Sequence, residues 1–149
     1  MAKVGRAARV ASRQRLESVS GTKVITTAET GELYALTAAS TITLPAAQDG
    51  AYFKFIVADA IANSATAVVV QASASSILMS GGVILHKHNT AVVQANDDAS
   101  NDHKITIDAS GGAGNKVMPG TVLECYSDGS RWILSGMILT EGTVSVAFA

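Results

Sequence analysis

The chain has little that could cross-link it or anchor it in a membrane. Its 149 residues include one cysteine and two prolines, with 5% aromatic and 15% charged residues. The lone Cys125 cannot close an intrachain disulfide, and no apolar segment follows the early basic residues as in a secretory signal. We therefore expect a protein kept in a cytosol-like compartment. Its longest apolar runs fall far short of the roughly 20 residues that a membrane helix needs, so we expect no membrane partner.

The scarcity of charge is informative, because soluble domains average about 25% charged residues. Hydrophobic residues make up 48% of the chain. A surface poor in charge suits a protein whose outside is partly covered by copies of itself or by a partner. A β protein built from small residues, with no partner, would have the same composition. The length fits one domain with a real core.

Charge is unevenly distributed along the chain. Residues 1–23 carry six basic side chains and one acidic side chain, a net charge of +5, which leaves −6 for the rest. Residues 1–21 lack period-two alternation and have few large apolar groups, so we predict a basic N-terminal arm over 1–21 and a β-rich body over 22–149. The candidate partner-binding residues of the arm are Lys3, Arg6, Arg9, Arg13 and Arg15.

The arm has three interpretations. It could contact nucleic acid, serve as an organellar transit peptide, or dock the body onto a larger assembly. Nucleic acid is disfavoured as a partner, because the body offers no second basic patch and no interleaved basic and aromatic residues. A short helix or an extended strand would both suit the arm, depending on what it touches.

After residue 21, short runs of β-branched and aromatic residues alternate with turn residues. They predict strands over residues 22–27, 32–37, 40–44, 52–57, 66–72, 76–79, 82–86, 90–95, 104–108, 121–126, 131–135 and 143–148. No segment has a sustained helical period. The expected fold class is all-β: an antiparallel β-sandwich, jelly roll or small barrel with an extended N-terminal arm.

Two of these runs show which side chains should be buried. In 52–57, Phe53, Phe55 and Val57 share one face, and in 104–108 the same holds for Ile105 and Ile107. Successive side chains of a strand point to opposite faces, so these residues are predicted to face the core.

The clearest predicted turn is the Asp-Gly pair at 128–129, which favours a two-residue hairpin loop because both central positions need positive φ. Folding there pairs Cys125 with Trp132 and Leu123 with Leu134 on one apolar face. We therefore expect a half-buried hairpin with Trp132 in the core and an inert, buried Cys125.

Catalytic and metal-binding patterns are sparse. No nucleophile lies in a G-x-S-x-G elbow, and the Gly-rich run 110–116 lacks a phosphate loop's Gly-Lys-Ser/Thr, so we predict no enzyme, no cofactor and no metal. His86 and His88 would share a strand face as half of a metal site, but two polar residues at a strand end are the favoured interpretation. The oxygen-rich run 96–102 has the spacing of a calcium loop without its turn glycine or distal glutamate.

Two stretches resemble sequences common in virion proteins of tailed bacteriophages. They are Thr-Ile-Thr-Leu-Pro-Ala-Ala-Gln-Asp-Gly at 41–50 with the strand that follows, and Gly-Thr-Val-Leu-Glu-Cys-Tyr-Ser-Asp-Gly-Ser-Arg-Trp at 120–132. The second is similar to the strand, turn and Trp-bearing strand that close such modules. The resemblance covers the β body and leaves the arm out.

This resemblance implies a capsid decoration (cement) protein that binds the major capsid protein at capsomer junctions, often as a homotrimer. It also implies synthesis in the host cytoplasm and a place on the capsid surface of the virion. The alternative is a tail-fibre or spike module that binds a host receptor or glycan. A short chain without internal repeats or a fibrous stalk is more similar to a decoration protein.

Overall fold

The computed structural model describes residues 15–88, 93–97 and 101–149. Among these residues the fold is all-β, as predicted from the period-two pattern, and the one helical element is a single 3₁₀ turn over Thr27–Glu29. The strands are β1 (Leu16–Val24), β2 (Leu33–Thr43), β3 (Tyr52–Val57), β4 (Ile61–Ala62), β5 (Val68–Gln71), β6 (Met79–Lys87), β7 (Val93–Asp97), β8 (Lys104–Asp108), β9 (Lys116–Val117), β10 (Val122–Ser127), β11 (Trp132–Glu141) and β12 (Ser145–Phe148).

The strands form one curled sheet in the order β12-β8-β5-β2-β3-β10-β11-β6-β7, with β1 alongside β2 and the short β9 joining β4 to β11. The long β2 is the joint of this sheet. Its first part, Leu33–Leu36, pairs with β3, and its second part, Ser40–Thr43, pairs with β5. One part of the sheet, β5-β8-β12, and the other part, β3-β10-β11-β6-β7, therefore extend from different portions of β2. Their end strands, β12 and β7, contact each other, so the sheet curls around one core.

The sheet is mixed, whereas the sequence predicts antiparallel pairing. Within the described residues the β1–β2, β2–β3, β2–β5 and β6–β11 ladders are parallel. Side chains alternate with the same period in parallel and antiparallel strands. Strand direction was therefore not encoded in the pattern that predicted the strands.

The inward faces are apolar as predicted. Phe53, Phe55 and Val57 of β3 are buried, as are both isoleucines of β8. Trp132 is fully buried, with its ring centroid 5.7 Å from that of Phe53 and its indole N–H donating to the carbonyl of Pro45 at 3.3 Å. Burial of the indole with its polar group paired makes this the centre of the core.

The hairpin register differs by two residues from the predicted one. Ser127 pairs with Trp132 and Cys125 pairs with Leu134, so the loop has four residues, 128–131. The Asp128 carboxylate accepts hydrogen bonds from the backbone N–H groups of Ser130 and Arg131 at 2.9 and 3.0 Å, which stabilises the longer loop. A shift of two keeps every side chain on its predicted face, because the period is two.

The boundary of the arm also differs. Residues 16–21, assigned to the arm, belong to β1, which runs parallel to β2 and buries Val19. The run has only one large apolar residue facing inward, so alternation alone did not reveal a strand. Backbone pairing with β2 and the polar contacts of Glu17 hold it in the sheet.

Two predicted pairs of strands are not separate pairs. Residues 32–37 and 40–44 merge into the single strand β2. The prediction of a strand over 76–79 is wrong for residues 76–78, which lie in a turn and the segment after it, and only Met79 joins 82–86 in β6, which runs through Gly81 and Gly82. A Cβ at Gly81, where φ is +133°, would overlap the carbonyl oxygen of Leu134 on β11. Glycine at this position therefore permits a close approach of two strands.

Candidate functional site

Of the five predicted partner-binding residues, one lies within the described residues and four lie outside them. Lys3, Arg6, Arg9 and Arg13 lie outside the described residues. Arg15 lies just before β1, where its backbone carbonyl accepts from Leu33 N–H and its exposed guanidinium pairs with Glu32 at 3.1 Å. These two contacts fix Arg15 beside the start of β2.

Next to this point lies an ionic cluster of Glu17, Lys23, Glu29 and Glu32. The Lys23 ammonium lies 2.7 Å from a Glu29 carboxylate oxygen and 3.0 Å from one of Glu17. The hydrogen bond that Lys23 donates to Glu29 is the main reason why the pKa of Lys23 is raised. Partial burial opposes ionisation of Glu29, but hydrogen bonds from Lys23 and Thr26 outweigh it and lower the pKa of Glu29 to about 2. The cluster fastens β1 to the 3₁₀ turn.

The cluster resembles a cation site and is already satisfied internally. Carboxylate oxygens of Glu17, Glu29 and Glu32 all lie within 4.8 Å of one another. The Lys23 ammonium contacts two of these three carboxylates. A metal ion here would have to displace a positive charge that the fold supplies itself.

The strands β3, β10, β11 and β6 are neighbours in the sheet, and the face of these four strands that points away from the core is here called the outer face. Adjacent positions on these four strands form an apolar row of Ile56, Val122, Met137 and Ile84. Four residues along, a second row contains Tyr52, Tyr126 and Ile133. Met137 and Ile84 are each 46% exposed, Tyr126 is 44% exposed and Ile133 is 38% exposed. Clustered exposure of large apolar side chains is typical of an interaction surface.

Between the two apolar rows runs a polar row that carries no net charge. Lys54 pairs with Glu124 at 2.9 Å, and Glu124 also accepts hydrogen bonds from the hydroxyls of Tyr52 and Tyr126 at 3.2 and 3.1 Å. The bond from Lys54 is the leading cause of the lowered pKa of Glu124. Burial, followed by the bond to Glu124, raises the pKa of Tyr52 to about 12. The outer face is thus electrically neutral and internally hydrogen-bonded.

Sequence reasoning missed the outer face as a unit. The predicted hairpin covers only β10 and β11, whereas Ile84 comes from β6, which is distant in sequence and pairs with β11 in parallel. The sequence carried one signal for this face. Ile133, Met137 and Leu139 are apolar although they lie at outward positions, and a strand with one solvent-facing side does not require apolar residues there.

The two histidines that were considered for a metal site lie together at one end of β6. His86 and His88 are exposed and border a cavity of about 450 Å³, which is also lined by Met118, Pro119, Leu139, Thr140 and Glu141. The Thr140 hydroxyl is buried and, among the described residues, has no hydrogen-bond partner. Of the calcium-like run, Asp98 and Ser100 lie outside the described residues.

Cys125 is fully buried on the inner face of β10, as expected. Burial, with the nearby charge of Glu124 as a smaller cause, raises the pKa of its thiol far above the ordinary value. Because the thiolate is the reactive form, this cysteine is unsuited to nucleophilic or redox chemistry in the folded protein.

Comparison of the chain with models of known protein families, with characterised proteins and with solved structures finds no match. No helix in the described part of the chain is long and apolar enough to cross a membrane.

Proposed function

We propose that this protein is a virion structural protein that decorates and stabilises a bacteriophage capsid. In this proposal the body packs against its own copies, and the N-terminal arm binds the major capsid protein at capsomer junctions. The observation that supports it best is the outer face, which places exposed Ile84, Tyr126, Ile133 and Met137 on neighbouring strands. The sequence resemblance described above supplies the setting, a capsid surface.

The outer face favours a second copy of the chain as its occupant. Lys54 and Glu124 neutralise each other within the face, so it suits a partner surface that is also neutral and apolar. The chain itself carries such a surface, namely the same face of another copy. The sequence resemblance implies a homotrimer, in which the outer faces of three copies would meet around one axis, whereas two outer faces packed against each other would form a twofold dimer.

The arm favours a different kind of partner. Residues 1–14 hold four basic side chains and no acidic one, which suits an acidic surface on the capsid. Each exposed ion pair contributes only about 0–1 kcal/mol, so attachment requires several such contacts together. The proposal is therefore of a protein with two contacts of distinct chemistry, one apolar and one electrostatic.

The first experiment tests whether the arm or the body binds the capsid. Because β1 begins at Leu16, a chain lacking residues 1–14 keeps the sheet intact. We expect it to unfold at the same temperature as the full chain and to lose co-sedimentation with undecorated capsids. Equal capsid binding by both chains would contradict the role of the arm.

A matched pair of variants tests the charge of the arm. Replacing Arg6, Arg9 and Arg13 together by lysine keeps the charge, and replacing them by glutamine removes it. We expect binding to persist in the first variant and to fail in the second. Raising the salt toward 1 M, where the screening length is about 3 Å, should weaken the binding of the full chain. Salt-independent binding would contradict an electrostatic contact.

The second experiment tests self-association. Met137→Glu places a charge in the apolar row, and Val24→Glu does the same at an exposed valine of β1. Sedimentation velocity should show that the first variant is shifted to monomer and that the second retains the wild-type oligomer. A wild-type chain that is monomeric at micromolar concentration and on capsids would overturn the use of this face between copies.

One observation favours the alternative of a tail-fibre or spike module that binds a receptor or glycan. Tyr52 and Tyr126 lie side by side on the outer face, with ring centroids 4.9 Å apart, and Tyr126 is exposed. Aromatic rings are suitable platforms for apolar ligand faces. Mass-spectrometric stoichiometry of purified particles discriminates the two, because a decoration protein is present in many copies and a tail protein in few.

A further inference from the structure

We propose that His86, His88 and Glu141 form a binding site for a divalent transition-metal ion such as Zn²⁺, Co²⁺ or Ni²⁺, independent of the proposed role on a capsid. All three residues border the same cavity of about 450 Å³. Two imidazoles and one carboxylate are a ligand set that these ions prefer, whereas Ca²⁺ and Mg²⁺ require oxygen ligands.

The pairing of β6 with β11 brings the three residues together. His86 and His88 are two positions apart and therefore project from the same side of the chain. His86 pairs with Leu139 and Lys87 pairs with Thr140, and the ladder continues as His88 N–H donates to the Thr140 carbonyl at 2.9 Å. Glu141, the next residue of β11, consequently lies beside His88. The backbone pairing of β6 with β11 thus brings all three proposed ligands to one place.

The surroundings suit a bound ion with open coordination positions. Met118, Pro119 and Leu139 give the cavity an apolar wall, which limits competing water. Three protein ligands leave at least one position of a tetrahedral ion for water or an exogenous ligand, for which the cavity provides room.

Without a bound ion, the donor atoms of His86, His88 and Glu141 are too far apart to coordinate one ion together. Among the described residues, only the three glutamates of the ionic cluster have donor atoms that all lie within 4.8 Å of one another. The ion must therefore draw the two exposed imidazoles and Glu141 together by side-chain rotation. It must also displace Lys116, which lies 3.5 Å from Glu141, the longest ion pair in the described chain. Lys23, in contrast, is held at 2.7 Å within the ionic cluster.

The test is titration of the full chain with Zn²⁺, followed by calorimetry, with Mg²⁺ as the control ion. We expect one Zn²⁺ per chain and no Mg²⁺ binding. His86→Ala, His88→Ala and Glu141→Gln should each weaken Zn²⁺ binding at least tenfold. Since both histidines are exposed, the variants should remain folded without metal, and the melting temperature of each metal-free variant is the reference for its own Zn²⁺ titration. Absence of saturable Zn²⁺ binding would overturn the proposal.

The chain contains its own controls. His103 is the third of its three histidines, lies just before β8 and is not among the residues that line the cavity. His103→Ala and Glu29→Gln in the ionic cluster should bind Zn²⁺ as the wild type does. Loss of binding in either control, or full binding by Glu141→Gln, would overturn the three-ligand site. Nuclear magnetic resonance adds a direct readout: Zn²⁺ should shift the imidazole signals of His86 and His88 and leave those of His103 in place.

Discussion

The two faces of the β10–β11 hairpin differ although they share a backbone. The inner face contains Cys125, Trp132 and Leu134, all fully buried, and the outer face presents Tyr126 and Ile133 to solvent. Both faces carry large apolar side chains, so the presence of such side chains does not by itself separate the two faces. What separates them is coverage: the inner face is covered by the rest of the chain, and the outer face by no other described part of it.

This difference teaches that a residue's apolar character and its contribution to folding are separate properties. Burial within the chain is what converts apolar area into folding free energy. An apolar side chain left at the surface contributes to association and little to folding. Inner-face changes should therefore alter stability, and outer-face changes should alter assembly.

The strongest test uses two adjacent residues of β11. Trp132→Ala should lower the free energy of unfolding by about 3–5 kcal/mol, because it leaves a cavity at the centre of the core. Ile133→Ala, one residue away on the outer face, should cost under about 1 kcal/mol in a monomer. Urea unfolding monitored by circular dichroism measures both. Similar losses for the two variants would refute the contrast between the faces.

A second test changes polarity at constant size on the inner face. Cys125→Ser should destabilise by about 1–3 kcal/mol, since a hydroxyl would be buried where a thiol now packs. Cys125→Ala is the control that removes the thiol without adding a hydroxyl, and it should cost less. In the folded wild type, a thiol reagent should fail to modify Cys125 until urea unfolds the chain. Rapid modification without urea would show that the inner face is open.

A third test measures stability at acidic pH. Acid does not change the charge of apolar side chains, but it protonates the carboxylates of the ionic cluster. The pKa of Glu29 is lowered from 4.5 to about 2 by folding, so its stabilisation is complete above pH 4.5 and is lost as the pH falls toward 2. Solvent screening reduces the effect to about 1–2 kcal/mol.

The control for this test is Glu29→Gln, which should be less stable at neutral pH and should lose less stability on acidification. The measurement is the melting temperature from pH 7 to pH 2. The same slope in both proteins would mean that other carboxylates dominate acid unfolding.

The smallest effect is expected within the outer face. Lys54→Met removes the partner of Glu124, and because both side chains are partly exposed, the loss of stability should be under about 1 kcal/mol. The pKa of Glu124 should rise, since the hydrogen bond from Lys54 is the main cause of its low value. Carboxyl titration by nuclear magnetic resonance measures this, and an unchanged pKa would contradict the assignment.

The sequence predicted much of this contrast on the inner side. Alternation in 52–57 and 104–108 identified the buried residues, and the hairpin placed Trp132 in the core although its loop was two residues too short. Such a shift preserves the faces, whereas a shift of one would have inverted them. The all-β class followed from the same period.

The features that depend on distant pairing were not predictable from local patterns. The parallel ladders, the continuous β6 through Gly81 and the assembly of the outer face all require knowledge of which strand lies beside which. The histidines were found by their spacing, but Glu141 was not, because only the β6–β11 ladder brings it beside His88. The basic residues before Arg15 remain a prediction, since they lie outside the described chain.

The β6–β11 ladder also sets the order of events during synthesis. β6 ends at Lys87 and its parallel partner ends at Glu141, so β6 must wait for more than fifty further residues before one of its edges is paired. Pairing over such separations slows folding, and unpaired strands are prone to aggregate meanwhile. A ribosome carrying an unfinished chain therefore holds an open sheet, and the body can close only when the last two strands have emerged.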